Sequence, residues 1–97
     1  MPLFAYLGFD GPRGLERRPS VRPRHLAHLE RLAADGRIRF AGPLLGEDGK
    51  PSGSVVVLEA ESWAAARAVA EGDPYLVEGV FDRVEVRETK QVLPEEG

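Results

Sequence analysis

Two short stretches of this chain carry side chains able to move a proton: Arg22-Pro23-Arg24-His25 and Gly72-Asp73-Pro74-Tyr75. An imidazole beside a carboxylate is a general acid–base pair, because the carboxylate fixes the ring tautomer and favours the protonated form. Asp73 followed by Pro74 is also a helix N-cap pattern, with proline at the first helical position. The two roles are compatible. A capping carboxylate can give one oxygen to backbone N–H groups and the other to an imidazole N–H. Arg13, Arg17, Arg18, Arg22 and Arg24 cluster around the first stretch. Arg22, one helical turn from His25, is the best placed of them to clamp a carboxylate or enolate. The competing reading of the cluster is solvated charge. Tyr6 and Tyr75 are candidate hydroxyl donors to a substrate, or packing residues.

The other histidine, His28, falls on a different side of the same helix and is expected to be solvated. Two histidines three positions apart, with no third ligand nearby, make a poor metal site. There is no cysteine, so thiolate chemistry and cysteine-ligated metals are excluded. No glycine-rich phosphate loop precedes a helix. Neither metal nor cofactor is therefore expected.

Hydropathy patterning sets the elements that must bring the two stretches together. Residues 2–9 have strand character, and 10–19 read as a Gly/Pro/Arg loop. Residues 20–35 form a helix, with Ser20 as its cap, Pro23 in its first turn and Gly36 ending it. On that helix Leu26, Leu29, Leu32 and Ala33 make the core stripe, with His25 on its flank and partly buried. A second strand covers 37–45, and 46–53 is a turn-rich connector. Residues 54–60 are a valine-dense third strand. Ser62 caps a second helix running to Glu71, with Trp63 packing into the core. The fourth strand spans 79–88, and a loose acidic tail begins at about 89.

The order β-α-β-β-α-β is the split, ferredoxin-like α+β arrangement. Strand three is apolar on both faces and strand one nearly so, which makes them central. Strands two and four alternate, which makes them edges. The expected sheet is antiparallel, in the order 4-1-3-2. In that topology the start of the first helix, the Gly42-Pro43 bend and Asp73 converge at one end of the sheet. Two helices cover only one face of four strands. The open face should therefore pair with a second copy, the short tail being the alternative cover.

With 97 residues, the chain is one domain. A net charge of -3 argues against nucleic-acid or membrane-surface partners. Strand three lacks the aromatic residues that an RNA-recognition sheet uses for stacking. The apolar start at residues 1–9 lacks a basic leader and is too short to span a bilayer, so the cytoplasm is the expected location. The absence of asparagine and the excess of arginine over lysine fit a thermophilic source.

Several ordered signatures together resemble the YciI-like (YCII-related) proteins. They are Arg22-Pro23-x-His25-Leu26, Gly36-Arg37-Ile38, Ala41-Gly42-Pro43, Gly49 to Gly53 before a valine strand, and Asp73-Pro74-Tyr75 followed by Gly79-Val80. The resemblance implies a ferredoxin-like fold that dimerises in the manner of dimeric α/β barrels. It also implies an active-site histidine and aspartate at His25 and Asp73. Folds of this kind include muconolactone isomerases and cofactor-free oxygenases, and some YCII-related enzymes eliminate chloride from chloroaromatics. The expected function is a small cofactor-free enzyme that transfers a proton in an isomerisation or elimination of an anionic metabolite. The alternative is a non-catalytic dimer that binds a small molecule or a partner protein.

Overall fold

The structure, a computed structural model, describes residues 1–95. The elements are β1 (Leu3–Asp10), α1 (Gly14–Ala34), β2 (Ile38–Leu45), β3 (Pro51–Glu59), α2 (Trp63–Glu71), α3 (Pro74–Val77) and β4 (Phe81–Thr89). All strand pairings are antiparallel, and the sheet order is β2-β3-β1-β4. This is the expected ferredoxin-like α+β sheet, read from its other edge, with β1 and β3 central. The loose acidic end expected for the tail reaches residues 96–97, which lie outside the described residues.

Strand alternation sorts the sheet into two faces. Phe4, Tyr6 and Gly8 of β1 face the helices, opposite Leu58, Val56 and Ser54 of β3. Leu3, Ala5, Leu7 and Phe9 face the other way, with Val55 and Val57. Carrying the alternation one residue further puts Asp10 on the helix side. There a register shift in the β1–β4 ladder ends the regular pairing.

The first helix departs from expectation. It begins at Gly14 rather than Ser20, so Pro19 and Pro23 both lie inside it. An interior proline removes one helical hydrogen bond and crowds the preceding turn. Both prolines are exposed, so the freed carbonyls face water rather than apolar core. Ser20 does not cap the helix. Its hydroxyl donates back to the Arg17 carbonyl at 3.0 Å, a bond typical of serine within a helix. The helix start is anchored by close approach instead. A Cβ at Gly14 would lie 2.6 Å from the Val80 carbonyl oxygen and 2.7 Å from the Asp10 Cβ. Extending the helix backward also rephases its buried stripe, which is Gly14, Arg18, Val21, His25 and Leu29. His25 sits in the middle of that stripe rather than on its flank, and Ala33 is exposed.

The second helix follows the sequence closely. Ser62 accepts a hydrogen bond from the Ala65 N–H at 3.1 Å, the expected cap. Asp73 caps the four-residue α3 by accepting from the Tyr75 N–H at 2.9 Å, with Pro74 next in the chain. β4 starts at Phe81 rather than Gly79 because α3 must first unwind. Gly79 takes a φ of +78°, a left-handed turn that favours glycine. The Val80 N–H then donates to the Tyr75 carbonyl at 2.8 Å.

Two apolar clusters fill the space between helices and sheet. The larger joins Phe4, Tyr6, Leu29, Val56, Leu58, Ala60, Ala66 and Ala70. The smaller joins Val21, Tyr75, Val80 and Phe81. A buried aliphatic or aromatic side chain of this kind contributes about 1.5–3 kcal/mol. Trp63 is only partly covered. Its ring meets Phe4 edge-on at 5.4 Å, and Arg67 lies over it at 5.3 Å. On the open face Phe40 remains 57% exposed. A cleft of about 440 Å³ separates Leu3, Phe40 and Val57 from tail residues Lys90, Gln91, Leu93 and Pro94. Among the described residues no helix is long and apolar enough to cross a membrane.

Candidate active site

The topology brings His25 and Asp73 into direct contact. His25 Nδ1 lies 2.7 Å from Asp73 Oδ1. Asp73 is wholly buried, and the His25 side chain is 9% exposed. A carboxylate at this distance accepts the Nδ1 proton, which leaves Nε2 as the basic nitrogen of the neutral ring. No buried side-chain nitrogen or oxygen among the described residues lacks a partner. Among the described residues Nε2 makes no hydrogen bond, and His25 forms part of the wall of the adjacent cavity.

Asp73 is over-determined. Oδ1 takes both His25 Nδ1 and the Tyr75 N–H, and Oδ2 accepts the Tyr6 hydroxyl at 2.7 Å. Tyr6 belongs to the larger apolar cluster and Tyr75 to the smaller. The carboxylate therefore ties the two halves of the core together. Burial, with the adjacent Asp73 charge and hydrogen bond acting in the same direction, holds the Tyr6 phenol far above the usual range. Tyr6 has no exposed surface and does not line the cavity. Its hydroxyl stands behind Asp73, so it is not placed to touch a substrate as the sequence suggested.

Tyr75 does line the cavity. Its ring stacks on His25, with centroids 3.8 Å apart and planes 12° from parallel. Phe81 meets the Tyr75 ring edge-on at 5.5 Å. Gly8 makes room for that packing, since a Cβ there would run into the Phe81 ring. The imidazole is thus fixed by a chain of rings that begins at Phe81 of the edge strand β4, packed over Gly8 of the central strand β1. Burial raises the Tyr75 phenol above its ordinary value, against the opposing pull of the Arg18 and Arg22 charges.

The cavity measures about 450 Å³, within the range of small-molecule sites. Leu15, Pro19, Leu26, Leu29, Pro43 and Val56 supply much of its apolar wall, and Arg18, Arg22, His25, Ser54 and Tyr75 its polar groups. The arginine cluster divides. Arg22 lines the cavity and makes no ion pair among the described residues. Arg24 instead forms a bidentate pair with Glu78, both bonds 2.6 Å, on the exposed surface. That contact raises the Arg24 pKa and lowers that of Glu78. Arg13 pairs loosely with Glu16 at 3.6 Å, and Arg17 reaches the Gly79 carbonyl at 3.5 Å.

Arg18 is buried, contrary to both readings of the cluster. Its Nε and Nη2 donate to the two oxygens of Asp10 at 2.8 Å each, and Nη2 also donates to the Gly53 carbonyl at 2.7 Å. Its guanidinium carbon lies 4.9 Å from the Tyr75 ring centroid. Asp10 and Ser54 went unrecognised in the sequence as site residues, and Arg18 stands there only as one member of the arginine cluster. The signal that reveals them is the alternation of β1 continued to Asp10 and the helical stripe continued back to Gly14. His28 also differs from expectation. It is half-buried, and Nε2 lies 2.9 Å from the Val69 carbonyl oxygen, so it ties α1 to α2. Among the described residues no three His, Asp or Glu side chains gather as a metal site.

A family model described as the YCII-related domain matches residues 2–90. Protein YciI of Escherichia coli is 41% identical over 97 aligned positions, which cover 94% of this chain and 99% of that protein. An uncharacterized protein of Haemophilus influenzae is 40% identical, covering 87% and 92%. Among solved structures, the chain is similar to 5-chloro-2-hydroxyhydroquinone dehydrochlorinase (TftG) of Burkholderia phenoliruptrix in complex with 2,5-dihydroxybenzoquinone. The TM-score is 0.80 and the identity 35%, over 91% of this chain and 93% of that one. SnoaB, a cofactor-independent oxygenase of Streptomyces nogalater, shares the fold alone, with a TM-score of 0.53 and 18% identity over 98% of this chain and 100% of that one.

Proposed function

This chain belongs to the YCII-related family, and from that premise and the geometry of the cavity we propose a small cofactor-free enzyme that transfers a proton on an anionic metabolite. The observation that carries the reading is His25 Nδ1 held 2.7 Å from Asp73 Oδ1, with the second ring nitrogen left to the cavity. His25 is the general base and, once protonated, the general acid. Asp73 fixes its tautomer, and Tyr6 holds Asp73 as an acceptor from behind. Arg22 attracts the anionic end of the substrate, and Tyr75 presents its ring and hydroxyl to the bound molecule. The electron pair released when a proton leaves carbon either shifts to isomerise the substrate or expels a leaving group such as chloride. The dihydroxybenzoquinone bound by TftG suggests a hydroxylated ring as the substrate, a shape suited to a cavity walled by proline and leucine.

The test is proton exchange. Hydroxyquinols and their chlorinated forms are incubated with the protein in deuterated water, with ring C–H exchange followed by NMR and chloride release by electrode. The wild type accelerates one of these, and His25→Gln loses roughly 100-fold or more of that rate while remaining folded. Undiminished activity in His25→Gln, or binding without any turnover in the wild type, would reject the catalytic role in favour of a binding protein.

The same reading includes a homodimer packed through the open sheet face. Exposed Phe40, the outward valines of β3 and the outward side chains of β1 support it. Light scattering at micromolar concentration is expected to give twice the 10.6 kDa chain mass. A strictly monomeric species would overturn it.

A further inference from the structure

Ser54 lies on the helix-facing side of β3, on the sheet wall of the cavity, and is 3% exposed. Its Oγ accepts a long hydrogen bond of 3.4 Å from Arg18 Nη2. A hydroxyl that accepts still has its own hydrogen to donate, and no protein acceptor among the described hydrogen bonds takes it. Beside it, Arg18 Nη1 takes no part in the bonds to Asp10, Gly53 or Ser54, and the guanidinium also interacts with the Tyr75 hydroxyl at the cavity wall. Both groups are held rigidly, Arg18 by its bidentate pair and Ser54 by its strand.

The charge balance at this wall differs from that at Arg22. The Arg18 charge is already met by Asp10, with both side chains under 10% exposed (9% and 8%). A full anion brought there would face the Asp10 carboxylate as well as the guanidinium. A neutral oxygen that gains partial negative charge fits better, because donors preorganised in a water-poor site stabilise charge as it develops. Arg22 is the reverse: an exposed cation without an ion-pair partner among the described residues, suited to a charge already present.

Resting on the proton-transfer reading above, we infer that Ser54 and Arg18 form a carbonyl-oxygen subsite, and that the substrate class is an enolisable ketone, such as the keto tautomer of a hydroxyquinol, bearing a separate anionic group for Arg22. His25 Nε2 takes the proton from the carbon next to the carbonyl. The C–H electron pair becomes the new C=C bond, and the carbonyl π pair moves onto the oxygen held by the Ser54 hydroxyl. Return of the proton to a different carbon completes an isomerisation. Collapse of the enolate with departure of an anionic group completes an elimination.

The experiment compares two probes on the whole protein. One is 2,5-dihydroxybenzoquinone, which has ketone oxygens and acidic hydroxyls. The other is benzoate, an anion with no ketone. Ser54→Ala is expected to weaken quinone binding roughly tenfold, the value of one lost hydrogen bond, and to leave benzoate unchanged. Arg22→Ala is expected to weaken both. Ser54→Cys, similar in size but a weak donor, should fall between wild type and Ser54→Ala and so separates hydrogen bonding from any damage to the fold. Equal quinone affinity in Ser54→Ala and wild type would overturn the subsite while leaving the His25 chemistry standing. Equal loss of both probes in Ser54→Ala, or a wild type that binds neither at millimolar concentration, would also overturn it. Quinone discrimination by Ser54 in a protein that exchanges no proton would support the subsite and reject the enzymatic reading.

Discussion

Two buried carboxylates meet two nitrogen bases on the inner stripe of α1, two helical turns apart, and they do opposite things. Asp10 and Arg18 saturate each other through a fork of two 2.8 Å bonds. The pair fixes where the helix begins and tunes the wall beside it. Asp73 divides its oxygens among a backbone N–H, a phenol and one imidazole nitrogen, leaving the other nitrogen untied. Burial and a carboxylate partner are common to both pairs. The proposed proton transfer rests on the imidazole nitrogen that only the second pair leaves without a hydrogen bond among the described residues.

The contrast breaks most sharply at Asp73. Asp73→Asn keeps the shape but removes the charge and the preference for the Nδ1–H tautomer. Turnover on the substrate identified by the exchange assay should fall about 10³–10⁴-fold, as for a serine-protease triad that loses its aspartate charge. Stability in urea should fall by only about 1–3 kcal/mol. A fall in stability with turnover intact would assign Asp73 to the fold alone.

Asp10→Ala should do the reverse. Removing it strands a buried guanidinium, a loss of about 3–5 kcal/mol, read as a lower urea midpoint at unchanged slope. Any protein that remains folded should keep the proton exchange assigned to His25. If the variant were as stable as wild type, the Arg18–Asp10 pair would not be the anchor of α1.

Tyr6→Phe sharpens the comparison from behind the His25–Asp73 pair. It removes one donor from a buried carboxylate, at about 1–3 kcal/mol. The Tyr6 pKa is raised on folding, so its contribution is fully present below the ordinary phenol value of 10.0 and is lost as pH rises beyond it. There the unfolded chain ionises and the folded one does not, which gives a slope approaching about 1.4 kcal/mol per pH unit. The stability gap between wild type and Tyr6→Phe should therefore narrow above that pH. A gap constant through the alkaline range would show that the phenol is not held neutral by Asp73.

Much of this arrangement was legible in the residues because it follows from period and topology. Strand alternation and the β-α-β-β-α-β order place Asp73 and His25 at one end of the sheet, and Asp-Pro marks a cap wherever it falls. What escaped was set by tertiary override. Pro19 reads as the end of a loop and Pro23 as the first turn of a helix, since an interior proline is costly. Close packing of Gly14 and the Arg18–Asp10 fork nonetheless extend the helix backward. That error in phase hid Arg18, which as an arginine is expected outside, and misplaced His28, whose partner is a carbonyl on α2. Tyr6 escaped for a different reason. Pattern alone puts it on the covered face but does not say that its hydroxyl meets Asp73 before it could meet a ligand.

The single tryptophan has a practical consequence. Trp63 leans on Phe4, near the start of β1, and takes no part in lining the cavity. Its ultraviolet emission is an optical gauge of whether the core is assembled, recorded on the ligand-free protein. A quinone in the pocket absorbs in the same spectral region, so its occupancy is read from its own absorbance.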